Sequence, residues 1–375
     1  MNVLVLLTYG MSFKSWDEAS LLEREIKLYN EISKSTDINY TFLTYGDSQD
    51  LKYENLLHNS SIYPVYEHHK FYKNKFLRFL HSFLFVFLVR KKFQNIDLIK
   101  TNQLMGSWVG VLLKLLNRTP LIIRTGYDIF TFSLKNNKGV LKLSFYFLLT
   151  QFSLVFSDLY TVSSISDKSF LEKFFITKRK KIVVITNWVD YQQNTKPIPM
   201  RYKKKILSVG RLETQKNFEF LITEMGKTSI ELDIYGKGSL DKKLKDLALS
   251  HNVKVNFLGN IPHSKLIKKM EDYKIFCLMS KFEGNPKVVL EAMSNGCVCI
   301  LSNIPNNSEI IDDNKNGFLL KNTDNNVGIF VKNLLEQEDE LNKISNEARN
   351  TIMEHYSLEK AIVFEKDNYY KVTAN

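Results

Sequence analysis

The stretch IFCLMSKFEGNPKVVLEAMSNGCVCIL, residues 275–301, decides how the rest of the chain is read. Two short apolar runs, Ile275–Leu278 and Cys297–Leu301, bracket it and read as buried strands. Between them Asn285 suits a helix cap, Pro286 the first helical position and Gly296 the residue just past the end. The unit is strand, loop, helix, strand. Glu283 falls in the loop and Glu291 on the helix, about a turn and a half past its start. A loop that feeds a helix N-terminus offers unpaired N–H groups and a positive dipole end, which suit the hydroxyls and phosphates of a ligand. The plainer alternative makes Glu283 a surface acid and Glu291 a solvated helix position. Spacing alone leaves both open.

The same alternation runs outward in both directions. Strands are expected at Asn2–Leu7, Tyr40–Thr44, Asp97–Thr101, Leu121–Arg124, Leu159–Val162 and Ile182–Thr186, then at Lys205–Val209, Glu231–Tyr235 and Val253–Phe257. Helices are expected between them, in the first half at Ser15–Ser33, Asn74–Lys92, Gly106–Leu116, Lys138–Phe156 and Ser166–Phe174. Short β-rich runs alternating with helix-period segments are the pattern of βα units and parallel sheets, so the fold class is α/β. A chain of 375 residues exceeds one ordinary core. The segment from Asn187 to Lys205, with Pro197, Pro199 and the basic run Arg201–Lys205, marks the change of domain. The expected division is 1–192, 193–356 and a closing helix in 357–375 that returns to the first domain.

Charge is lopsided. Residues 1–190 hold 25 basic and 16 acidic groups, so they carry +9 of the net +12. Such an excess fits an anionic surface, acceptor or nucleic acid, or a plain compositional bias toward lysine. Cys277, Cys297 and Cys299 are odd in number, lie in apolar runs and form no C-x-x-C pair, which points to reduced, buried thiols in a cytoplasmic protein. The N-terminal MNVLVLL reads as a core strand, since it lacks a basic leader region and a cleavage site. The run from Phe76 to Val89 is interrupted by Arg78 and His81 and falls short of the about 20 residues needed to span a bilayer.

A second constellation follows the strand Lys205–Val209: Gly210, Arg211, then Lys216. Glycine frees the backbone to turn, and two cations five residues apart near a helix start can grip a diphosphate from two sides. Two exposed loop cations are the alternative. A third, Leu232-Asp233-Ile234-Tyr235-Gly236-Lys237-Gly238, runs a strand into glycines without completing G-x-G-x-x-G, so a nicotinamide dinucleotide is disfavoured.

In this order, the glycine–arginine–lysine element, the strand ending Tyr-Gly-Lys-Gly, the turn Phe257-Leu258-Gly259-Asn260-Ile261 and the Glu-x₇-Glu element resemble glycosyltransferase family 4. The similarity is strong across Lys205–Leu320 and weaker at Thr161-Val162-Ser163 and at Val184 to Asp190. Any one motif is weak; four in register are specific. The resemblance implies a GT-B fold, two Rossmann-like domains facing each other across a cleft, with a retaining transfer from a nucleotide-sugar. It implies that Arg211 and Lys216 neutralise the donor diphosphate and that Glu291 binds the ribose hydroxyls. Glu283, with the backbone of Gly284 and Asn285, would hold the transferred sugar, while Gly210, Gly236, Asn260 and Ile261 would line the nucleotide. No cofactor and no metal are expected, because two cations can stabilise the leaving diphosphate.

The first domain departs from the family pattern. Where paired glycines usually face the donor phosphates, only Gly10 is present, followed by Met11 and Ser12. Where a histidine is usual, the chain has Arg124-Thr125-Gly126-Tyr127-Asp128. Arg124 and Asp128 are candidates for its contacts, and Arg124 is equally readable as an ion-pair residue. The seven cations between Lys70 and Lys92 surround an aromatic and aliphatic run, which suits either a helix lying on an anionic bilayer or one packed on the first sheet. The expectation is a cytoplasmic enzyme at the inner face of the plasma membrane, moving a hexose to a glycan or polyprenyl-diphosphate-linked acceptor in surface polysaccharide synthesis. A sugar-nucleotide epimerase and a catalytically silent binding subunit are the rivals. Nucleic acid is not expected as a partner, since no motif supports it.

Overall fold

Strands that are apolar on both faces form parallel sheets, because helices returning over each face exclude water from both. The structure, a computed structural model, describes residues 1–19, 21–126, 129–136, 139–177 and 181–374. It divides into two units, Met1–Thr186 with Ala361–Asn375, and Asn187–Lys360.

In the first unit the described strands are β1 (Asn2–Leu6), β2 (Asn39–Thr44), β3 (Ser61–Pro64), β4 (Leu98–Thr101), β5 (Leu121–Arg124), β6 (Leu159–Val162) and β7 (Lys181–Val184). They form one parallel sheet in the order β3-β2-β1-β4-β5-β6-β7. The order reverses between β1 and β4, so the loops leaving these strands part to opposite faces and open a crevice at their C-terminal ends. Leu4, Leu6, Ile99, Leu121 and Ile123 fill the core beneath it.

The second unit repeats the winding with β8 (Lys205–Val209), β9 (Glu231–Tyr235), β10 (Val255–Gly259), β11 (Ile275–Leu278), β12 (Val298–Ser302) and β13 (Phe318–Leu320). Their order is β10-β9-β8-β11-β12-β13, and the reversal lies between β8 and β11.

The differences from expectation have local causes. β10 starts at Val255, because Asn252 takes a positive φ and Val253 N–H bonds back to the Ala248 carbonyl. With Asn252 N–H on Leu249, this is a Schellman closure of the helix Asp241–Ser250. The same device at Gly296, with Cys297 N–H on Ala292, moves the start of β12 to Val298. The helix expected over Ser15–Ser33 is two helices, Phe13–Glu18 and Leu22–Ser35, the first capped by Ser12 and closed by Leu21 N–H on Trp16. The break lets Trp16 and Leu22 both reach the core. Strands β3 and β13 were not expected; both are short edge strands. Lys138, expected to begin a helix, lies outside the described residues, and the helix is described over Val140–Phe156.

Three further features bear on function. Lys100 of β4 is 1% exposed and pairs with Glu365 at 2.7 Å and with the Tyr369 hydroxyl at 3.1 Å, which fastens the closing helix to the first sheet. Burial holds the Lys100 ammonium below its ordinary pKa against the pull of Glu365. The helix Lys75–Val89 turns Phe85, Val86 and Val89 into the core and exposes Phe76, Leu84 and Leu88. The helix Val140–Phe156 exposes Leu148 and Leu141, the latter at 88%, and Phe145 meets Phe79 edge-on at 6.1 Å. Among the described residues no helix is long and apolar enough to cross a membrane. The three cysteines are free and buried, and burial pushes the Cys277 and Cys297 thiols up to about 12.

Candidate functional site

The second unit's reversal point is where its charged loops meet. β8 ends at Val209, and after Gly210 the chain makes a tight turn through Thr214–Lys216 and Asn217, whose φ is positive, before the helix Phe218–Met225. β11 ends at Leu278 and leads into the loop holding Glu283. Lys216 Nζ lies 2.5 Å from Glu283 Oε1, joining residues that are 67 apart in sequence. Ser280 Oγ donates to the same oxygen at 2.6 Å, and Gln215 Nε2 donates to Oε2 at 3.3 Å. Gln215 also donates to the Phe282 carbonyl and accepts from Lys281 N–H, so it stitches the two loops together. Its Oε1 lies 3.4 Å from an Arg211 nitrogen, which links the second cation to the cluster.

Glu283 and Glu291 are each 5% exposed. Both are therefore buried carboxylates, and neither is a solvated surface acid. Burying a charged group is costly unless it is paired, and Glu283 has three donors. Glu291 lies on the helix Lys287–Ser294, with Oε1 2.8 Å from His263 Nε2.

Asn285 does not cap that helix. Pro286 occupies the cap position, and the Asn285 side-chain oxygen accepts from Asn187 N–H while its carbonyl accepts from Asn187 Nδ2. Asn187 occupies the asparagine side chain, so it does not reach the first N–H groups of the helix. The backbone N–H groups of Gly284 and Asn285 have no acceptor among the described residues. Beside Glu283 they form a pair of donors at the head of a helix.

The loops after β8, β9 and β10 are packed backbone to backbone. Gly236 has φ +147°, and a Cβ there would fall on the Gly210 carbonyl; one at Gly238 would fall on that of Leu212. Gly236 N–H donates to Gly259, bringing the Asn260–Ile261 turn beside the ends of β8 and β9. Glu213 accepts from Ser239 N–H and Oγ, which hold its carboxyl below the usual range.

The first unit's candidates are less assembled. Gly10 makes the turn after β1 with φ +81° and has open space where a side chain would be. Arg124 ends β5, donates its backbone N–H to Thr101 Oγ1, and forms no ion pair among the described residues of its unit. Its charge acts on Tyr29 and Lys100. Asp128 and Tyr127 lie outside the described residues. Sequence reading did not single out Gln215, Ser280 or His263. Gln215 is one residue from a flagged lysine, and Ser280 and His263 announce themselves only through what they touch.

Comparison with known proteins bears on both units. Residues 192–351 match the family described as glycosyl transferases group 1. The chain is 32% identical over 236 residues to the UDP-Gal:alpha-D-GlcNAc-diphosphoundecaprenol alpha-1,3-galactosyltransferase of Escherichia coli, a match covering 56% of this chain and 59% of that protein. The match thus spans less than two thirds of that relative's length. The O-antigen biosynthesis glycosyltransferase WbnH of Escherichia coli is 28% identical over 259 residues, covering 68% of this chain and 72% of its own. Among solved structures, the sucrose-phosphate synthase of Thermosynechococcus elongatus superposes with a TM-score of 0.78 at 15% identity over 100% of both chains. At that identity the likeness speaks for the fold, which is of the GT-B class.

Proposed function

We propose that this chain, whose residues 192–351 form a domain of the glycosyl transferases group 1 family, moves a sugar from a nucleotide-sugar to a polyprenyl-diphosphate-linked acceptor in surface polysaccharide synthesis. The observation that carries this reading is the cluster of half-buried Lys216 with buried Glu283 and Gln215 at the β8/β11 reversal, with Arg211 attached to it. Ligands of open α/β sheets bind at such points. An ammonium has three N–H donors, and Glu283 takes one from Lys216, so two are left for phosphate oxygens. Arg211 adds the planar fork that suits a diphosphate.

In the proposed reaction the bond from the anomeric carbon to the diphosphate breaks and the acceptor hydroxyl forms the new one. The hydroxyl proton passes to the departing diphosphate or to solvent. Arg211 and Lys216 stabilise the charge that develops on the leaving group, which is the work a metal ion does elsewhere, so the transfer is read as metal-independent. Glu283 and the N–H groups of Gly284 and Asn285 hold the transferred hexose, Glu291 holds the ribose, and the product keeps the donor's anomeric configuration, as in family 4. The UDP donor and the diphosphoundecaprenol acceptor in the name of the Escherichia coli relative support this choice of substrates. The exposed apolar faces of Lys75–Val89 and Val140–Phe156, beside the cations Lys73, Lys75 and Lys91, support contact with an anionic membrane at its cytoplasmic face.

The test is a transfer assay with UDP-hexoses, a polyprenyl-diphosphate-linked sugar acceptor and EDTA. A lengthened acceptor with an α linkage by NMR is expected. An epimerised donor in the absence of acceptor would install the epimerase reading, and binding of UDP without turnover would install the silent subunit.

A further inference from the structure

His263 is the first residue of the helix His263–Met270, which follows β10 and the Asn260–Ile261 turn. Its Nε2 lies 2.8 Å from Glu291 Oε1. A carboxylate accepts, so in this contact the imidazole nitrogen donates. Glu291 has no other side-chain partner among the described residues, which leaves Oε2 unpaired. The backbone behind it is fixed, since the Glu291 carbonyl accepts from both the N–H and Nδ2 of Asn295. Ile261, Leu266 and Ile267 pack with Val288 on the cluster containing Leu290, so the two helices share one apolar floor. The imidazole is therefore a strut between the loop after β10 and the helix after β11. Gly236 N–H on Gly259 extends the connection to the end of β9.

We propose that His263 is the positioning residue of the ribose subsite. It holds one oxygen of Glu291 so that the other is presented, in one rotamer, to the vicinal hydroxyls of a nucleoside diphosphate. A free glutamate side chain samples several rotamers, and each hydroxyl bond it makes has to offset the loss of that freedom. A carboxylate already held by an imidazole on a packed helix does not carry that cost. Because a preorganised acceptor rewards a hydroxyl and is left unsatisfied by its absence, the strut also makes the subsite selective for ribo- over deoxyribonucleotides. This rests on the reading of Glu291 as the ribose carboxylate.

The experiment is calorimetric titration of the full chain with UDP and with 2′-deoxy-UDP, for wild type, His263→Ala, His263→Gln and Glu291→Gln. Wild type is expected to favour UDP at least tenfold. His263→Ala should cut that ratio at least fivefold and raise the donor KM by a larger factor than it lowers kcat. His263→Gln keeps an N–H donor at the same reach and should recover most of the ratio, which separates positioning from a general loss of packing. A folded His263→Ala protein with the wild-type ratio overturns the proposal. If Glu291→Gln collapses the ratio while His263→Ala does not, only the role of His263 falls. If wild type shows no preference, or Glu291→Gln retains it, the ribose assignment of Glu291 falls first.

Discussion

The two sheets are wound alike, with a reversal at β1/β4 in the first unit and at β8/β11 in the second, yet they spend their charges in opposite ways. In the second unit the loops leaving the reversal bring Arg211, Lys216 and Glu283 into one linked cluster through Gln215. In the first, the β1 loop offers Gly10 and open space, while the cation of β4, Lys100, is withdrawn into the core against Glu365. Topology supplies a crevice in each case; the side chains on its loops decide whether it is a site or a packed joint. The first unit instead places its exposed apolar residues on outer helices, away from the sheet's core.

The contrast breaks most sharply at Lys100. Removing one partner of a buried pair strands the other, so Lys100→Met should destabilise the first unit by about 3–5 kcal/mol in chemical denaturation, and Lys100→Met with Glu365→Leu should recover most of that. A single variant within about 1 kcal/mol of wild type, an ordinary surface effect, would mean the pair is no joint.

Next comes the surface. Lys73, Lys75 and Lys91 are exposed, whereas Arg78 is stacked on Phe71. Changing those three lysines to Gln should weaken binding to anionic vesicles by about 3 kcal/mol, at about 1 kcal/mol per cation, in a flotation assay at ~0.1 M salt. Removing Lys203, Lys204 and Lys265 from the second unit should leave it unchanged. Equal losses would show that net charge, and no particular face, holds the chain to the membrane.

Arg211→Ala should remove a charge-assisted contact of roughly 1.5–3 kcal/mol and weaken UDP binding about tenfold or more in calorimetry. Arg124→Ala in the first unit should spare UDP. The finest division lies within the second unit. Glu283→Gln should lower kcat at least tenfold, about 1.4 kcal/mol of transition-state stabilisation, while Glu291→Gln should mainly raise the donor KM. Full kcat in Glu283→Gln would move the sugar site elsewhere.

Which parts could be read from residues alone follows from physics. β5, β6, β8, β9 and β11 lie at the expected residues, because an interior parallel strand is a continuous apolar run with polar ends. β3 and β13 hide because an edge strand of three or four residues leaves almost no pattern. The late starts of β10 and β12 reflect helix closures that use the first apolar residue as a packing contact. At the site, Arg211, Lys216, Glu283 and Glu291 were visible as charged residues at spacings a ligand could use. Their pairing was not, because Lys216 and Glu283 meet only once β8 and β11 are neighbours. The cap assigned to Asn285 failed for a related reason: Asn187 competes for its side chain from far along the sequence. His263 carries no local mark at all; its partner defines it.

The backbone contact between Gly236 and Gly210 reaches beyond this chain's own geometry. No rotamer choice relieves a Cβ placed on a carbonyl, so the position has no tolerated alternative, and Gly238 against Leu212 is in the same state. In a saturation library sorted first for soluble expression and then for activity, Gly236 and Gly238 would drop out at the first gate, whereas Arg211 and Glu291 would pass it and be lost at the second. The order of loss would separate the residues that build this floor from those proposed to touch the donor.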